Sequence, residues 1–199
     1  MDRPELLQNF LDTVLPIMAA RAHDGDSPAS LGRITSALRS TADAGGQPST
    51  LPVCDVWLKP ALDRTATDQD MQQVMDALRA LSPLLPWRTR SVGPEASEHF
   101  PESHANAMLC GPGGIEHRHD VWLGVSLVAP NTRYPDHTHH PEETYLVLSP
   151  GEFRRNGTEW FSPGVGGSFF VTPDAVHAMR AGDEPLLALW ALWDGTRVH

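Results

Sequence analysis

Apolar residues recur at steps of three and four between residues 5 and 22, where Leu6, Phe10, Leu11, Val14 and Met18 fall on one helical face. The pattern predicts an amphipathic helix, with Pro16 as the place for a kink. A second stripe, Met71, Val74, Met75, Leu78 and Leu81, predicts another helix, and Asp68 or Asp70 can cap its first turn. Between the two, ADAGGQPST (residues 42–50) reads as a loop, with Gly45 and Gly46 as its point of easiest proteolysis. After Pro86 the period changes. Val121, Leu123, Val125 and Leu127 alternate with other residues, and TYLVLS, GSFFVT and PLLALWALW are short β-branched or aromatic runs bounded by Pro and Gly. Asn156-Gly157, between EFRR and TEWF, predicts a two-residue hairpin turn. These patterns predict a mainly β chain, with an antiparallel barrel or sandwich over residues 96–199 and a mainly helical region over residues 1–95 packed on it.

Composition narrows the function. A chain of 199 residues can bury a core of its own. Cys54 and Cys110 stand too far apart for a CxxC pair or a zinc knuckle and read as buried thiols. The start, Met-Asp-Arg-Pro-Glu, is not that of a secretory signal, and no run approaches the ~18 apolar residues of a membrane helix. A cytoplasmic protein without a membrane partner is therefore the expectation. A formal net charge of −10 with few lysines argues against nucleic acid and leaves small molecules as partners, cations mildly favoured.

The segment YPDHTHHPEETYLVLSPG, residues 134–151, holds three histidines and two glutamates within seven positions, a density that packing does not require. On extended backbone His137, His139, Glu143 and Tyr145 share one face, while His140 and Glu142 point the other way. Imidazoles with one carboxylate suit zinc, iron, manganese or nickel. A further ligand must come from elsewhere, and His177, after the run GGSFFVTPDAV, is the candidate. His117 and His119 form a second His-x-His, but no carboxylate follows at the right distance, so they read as bystanders. Trp122, Trp160, Trp190 and Trp193 default to core or barrel wall. Trp190 and Trp193 have opposite parity, so at most one of them faces the interior, where a tryptophan can hold a cation.

His137, His139, Glu143 and Gly151 match the first motif of the cupin superfamily, and GGSFFVTPDAVH, with Gly167, Pro173 and His177, resembles its second. Asn131 stands where the first motif usually opens with Gly, and Pro173-Asp174 replaces the usual Pro-x-Gly; Asn tolerates the left-handed backbone that Gly adopts. With Tyr134, Tyr145 and the preceding HANAMLCGPGG, the chain is similar to dimethylsulfoniopropionate lyases of the DddQ type. The resemblance implies a C-terminal cupin barrel, a double-stranded β-helix or jelly roll, with a helical N-terminal extension. It implies one divalent transition metal ion per chain, zinc, iron or manganese, held by His139, Glu143 and His177 with His137 as a further candidate. It makes Tyr145 the base and Tyr134 a second catalytic tyrosine, and it puts Tyr134, His137, Trp190 and Trp193 forward as substrate-binding residues. The implied reaction is β-elimination of dimethylsulfoniopropionate to dimethyl sulfide and acrylate. Another metal-dependent cupin enzyme, a dioxygenase or isomerase, stays open, as do a non-catalytic metal-binding sensor and a homodimeric assembly.

Overall fold

In a computed structural model, which describes residues 3–64, 66 and 68–195, four helices precede a β-barrel. Helix α1 spans Glu5–Arg21 and runs through Pro16; α2 spans Ser27–Ala37, α3 Pro52–Leu62 and α4 Gln69–Leu81. The stripe of α4 is buried as its spacing predicts, and the Asp68 side chain, rather than Asp70, accepts from the Met71 N–H at 3.0 Å. In α1 the buried face is shifted by one residue. Leu7 is fully buried, whereas Leu6 is 40% exposed, because α4 packs against the Leu7, Phe10, Leu11 and Val14 side of the helix.

Ten strands follow the chain: β1 Asp43–Ala44, β2 Trp87–Arg88, β3 His104–Cys110, β4 Glu116–His117, β5 Val121–Val128, β6 Glu142–Val147, β7 Glu152–Arg155, β8 Ser168–Val171, β9 His177–Arg180 and β10 Leu186–Trp193. Their order is β1-β4-β3-β5-β10-β6-β8, with β2 also on β3, and β7 with β9 forms a separate ribbon. All pairings are antiparallel except the short contact of β3 with β4. Long-range antiparallel pairing of this kind makes the jelly-roll barrel of a cupin. Asn156 and Gly157 both have positive φ, 51° and 69°, and their turn returns the chain so that Phe153 and Phe161 exchange backbone hydrogen bonds. That is the predicted hairpin.

One expectation changes in three dimensions, and the structure settles a point that alternation leaves open. The stretch around Gly45 and Gly46 is not an open loop: β1 pairs with β4, Gly45 N–H donates to Ile115 O at 3.0 Å and Gly46 N–H to Gly114 O at 2.5 Å. A backbone so paired is a poor protease substrate. The alternating residues Val121, Leu123, Val125 and Leu127, moreover, do not face the barrel interior. They join the helices in one apolar core, together with Leu146, Leu148, Leu187, Leu189 and Ala191 of the neighbouring strands. The opposite face of the same strands, with Tyr145, Val147, Trp190 and Leu192, forms the lumen. Both faces are buried, because the helices cover one and the barrel closes over the other.

Candidate metal centre and cavity

The two motif segments are laced together before any side chain is considered. His137 and His177 exchange backbone hydrogen bonds of 3.0 and 2.9 Å, and Asp174 N–H donates to His139 O at 3.0 Å. The backbone between His139 and β6 bends instead of staying extended, so these bonds, and not strand parity, bring His137 and His139 beside Glu143. Asn131 (φ 56°) and Asp174 (φ 60°) adopt left-handed backbone where the two motifs usually have glycine.

Each histidine of the cluster is oriented by its own neighbourhood. His137 Nδ1 lies 2.9 Å from Pro135 O, His139 Nδ1 2.8 Å from Pro141 O, and His177 Nδ1 3.0 Å from Ala175 O. A carbonyl can only accept, so the ring proton sits on Nδ1 in all three and the Nε2 lone pairs face inward, the arrangement of metal-binding histidines. Ligand atoms of the three rings lie within 4.8 Å of one another. Glu143 Oε2 is 3.2 Å from both His139 Nε2 and His177 Nε2. The His177 contact lacks hydrogen-bond geometry and leaves its buried Nε2 without a partner. Three nitrogen lone pairs and a carboxylate turned toward one point repel unless a cation stands among them. The donor set fits a divalent metal ion.

The electrostatics of the protein alone point the same way. Burial disfavours charge on Glu143, yet His139 and His177 hold its pKa down at about 2. Burial, with His177 and Arg90 adding to it, lowers His137 to about 3, so it stays a neutral ligand. His139 is moved against its burial, upward, by Glu143. Tyr145, two residues from Glu143 on the same face of β6, is pushed well above its ordinary value by burial and by that carboxylate; burial raises Tyr134 as well.

A cavity of about 390 Å³ opens on this cluster and is lined by Tyr134, His137, His139, Glu143, Tyr145 and Trp190, among others. With that geometry in hand, the comparison with known proteins is decisive. The sequence profile of the dimethylsulfoniopropionate lyases matches residues 27–188. The chain belongs to the dimethylsulfoniopropionate lyase family. It is 30% identical over 149 residues to the dimethylsulfoniopropionate lyase DddQ of Ruegeria pomeroyi, an alignment covering 72% of this chain and 74% of that protein. The crystal structure of DddQ from Ruegeria pomeroyi DSS-3 superposes with a TM-score of 0.73 at 22% identity, covering 96% and 94% of the two chains. A chain from the crystal structures of the lyases RdDddP and RnDddQII gives 0.70 at 22% identity, covering 98% and 95%. These likenesses establish the shared fold.

The structure brings together every predicted site residue but one: His177 joins the ligand cluster beside Glu143, and the others line the cavity. Trp190 lines the lumen, with its indole N–H donating to Ser126 Oγ at 2.9 Å. Trp193 does not: it packs partly buried on the helix side of β10, three residues and therefore one parity step away, which corrects its expected role in substrate binding. His117 and His119 sit at β4 against each other, outside the cavity lining, and His117 Nδ1 accepts from Gly113 N–H at 3.1 Å. Among the cavity residues that escape sequence reasoning are Arg90, Asn106, Ser126 and, as a lining residue, Trp122. Asn106 and Ser126 show only as polar residues at alternate strand positions. They form a directed chain. The Trp190 N–H can only donate, so Ser126 passes its own proton to Asn106 Oδ1 (2.6 Å), and Asn106 Nδ2 donates to Tyr134 Oη (2.9 Å). The Tyr134 hydroxyl proton is thereby left free for the cavity. No described helix is long and apolar enough to cross a membrane.

Proposed function

We propose that this lyase cleaves dimethylsulfoniopropionate by β-elimination, with Tyr145 as the base, releasing dimethyl sulfide and acrylate. The observation that carries the reading is the shared cavity: a buried set of inward-facing histidine nitrogens, a carboxylate and two tyrosines line one space in a chain of this family. A zinc, iron or manganese ion held by His137, His139, Glu143 and His177 would supply Lewis-acid stabilisation of charge on the substrate carboxylate and positive charge that opposes the upward push on the tyrosines. Tyr145, as phenolate, removes the proton next to the carboxylate; the electron pair forms the carbon–carbon double bond and the carbon–sulfur bond breaks. Tyr134 turns its free hydroxyl proton toward the substrate. Trp190, its ring held by Ser126, faces the sulfonium, an attraction worth about 0.5–2 kcal/mol. Water is kept scarce by the buried wall, since Tyr134, Tyr145 and Glu143 are each under 5% exposed.

The test is release of dimethyl sulfide and acrylate from dimethylsulfoniopropionate by metal-loaded protein, with Tyr145→Phe alongside. A general base contributes about 10²- to 10⁴-fold, so the variant loses that much in kcat while it keeps its fold and metal. No dimethyl sulfide from the wild type ends the lyase reading. Undiminished release from Tyr145→Phe moves the base to another residue, Tyr134 first.

A further inference from the structure

Most described arginines pair with carboxylates, as Arg3 does with Glu116 and Arg180 with Glu152. Arg39, Arg88 and Arg90 have no such partner among the described residues. The first two are exposed; Arg90 is half-buried and lines the cavity. Its guanidinium stands over the Tyr134 ring, 5.4 Å from the centroid. The position is built. Arg90 N–H donates to His104 Nε2 at 2.9 Å; the other ring nitrogen of that fully buried histidine binds Phe100 O at 2.6 Å, and its ring stacks on Phe100 at 3.7 Å.

A guanidinium partly removed from water without a counter-charge is costly, and its planar fork of donors matches a carboxylate. We propose that Arg90 is the second anchor of the substrate carboxylate, taking the oxygen turned away from the histidine cluster and making the cavity selective for anionic-headed zwitterions. The inference rests on the lyase reading for the identity of the substrate. It also orients that substrate. A sulfonium is repelled by Arg90 and is driven toward Trp190, which is linked to Tyr134 through Ser126 and Asn106. Trp122, whose buried Nε1 has no partner, lines the same space.

Calorimetric titration of metal-free protein with dimethylsulfoniopropionate and with its neutral-headed carboxamide analogue tests the anchor without turnover. Wild type binds the carboxylate better than the amide by roughly tenfold to a hundredfold, the worth of a charge-assisted hydrogen-bond pair. In Arg90→Gln that preference collapses toward one while affinity for the amide is kept, and Arg90→Lys recovers part of it. A merely structural role for Arg90 would lower both affinities together. With metal bound, Arg90→Gln raises KM by a similar factor. An unchanged carboxylate preference in Arg90→Gln overturns the proposal. If that variant does not fold, labelling of wild-type Arg90 by phenylglyoxal, read by mass spectrometry, decides: protection by the carboxylate ligand but not the amide supports the anchor, and equal labelling overturns it. Release of dimethyl sulfide with an unaltered KM in Arg90→Gln removes the anchor and leaves the reaction. An Arg90-dependent preference without any dimethyl sulfide removes the reaction and leaves the anchor.

Discussion

At the scale of single residues, the site depends on which nitrogen of each ring is already taken. His137, His139 and His177 each spend Nδ1 on a carbonyl two residues away, so the rings are aimed before any ligand arrives. Glu143→Ala or His177→Ala opens the cluster and leaves the other donors uncompensated. Elemental analysis is expected to find close to one transition ion per wild-type chain and at least tenfold weaker retention in these variants. His117→Ala, by contrast, keeps the metal, because His117 lies outside the cavity lining. Loss of metal from His117→Ala would mean that the site is misassigned.

At the scale of elements, the shape of the cavity follows from a glycine in β5. Gly124 stands opposite Trp190 in the register of β5 with β10 and opposite Met108 in that with β3. A Cβ there would meet Trp190 Cη2 at 2.2 Å and Ala107 O at 2.6 Å, and neither rigid neighbour can give way cheaply. The missing side chain lets the indole lie flat on the lumen wall and reach Ser126. Gly124→Ala should cost about 1–3 kcal/mol of stability, the usual penalty of overpacking, seen as a lower melting temperature. It should also raise KM with the metal retained, since the displaced part is the tryptophan and not the ligand cluster. A variant with wild-type stability and KM would show that Trp190 is free to move.

For the whole molecule, helices and barrel share one apolar core, and a buried charge network fastens them at the edge. Glu116, 2% exposed, receives Arg3 at 2.5 Å and Arg118 at 2.8 Å, while Arg118 also reaches Ala37 O at 3.0 Å. The clustered histidines give stability a pH dependence. His137 is held at about 3 and His104 is also lowered by burial, while both titrate near 6.5 when unfolded. As pH falls from 6.5 toward 3 the unfolded chain binds more protons than the folded one, so stability falls over that window. Glu143, at about 2 when folded against 4.5, acts in the same direction below 4.5; His139, raised, acts oppositely. Calorimetry of metal-free protein should show the melting temperature falling from about pH 6.5 to 4, with no comparable change above 7. Metal raises it throughout by binding only the folded state, and the gain shrinks as protons compete for the imidazoles. A melting temperature that rises on acidification would contradict the neutral burial of His137 and His104.

The amino-acid sequence by itself determined the fold class, the position of α4, the hairpin at Asn156-Gly157, and the grouping of histidines, glutamate and tyrosines that suggests a metal centre. Each of these is written in local spacing or in residues a few positions apart, where periodicity and side-chain chemistry act directly. Tertiary structure decided the rest. Which face of β5 is lumen depends on what covers the other face, and alternation alone is symmetric between the two. Trp190 enters the cavity and Trp193 does not because the helices pack on the Trp193 side. Arg90, Asn106 and Ser126 acquire meaning only through partners far along the chain, such as Ser126 with Trp190, 64 residues apart, and Asn106 with Tyr134, 28 apart. Closing such distances costs loop entropy that only the assembled barrel repays, so no local pattern records them.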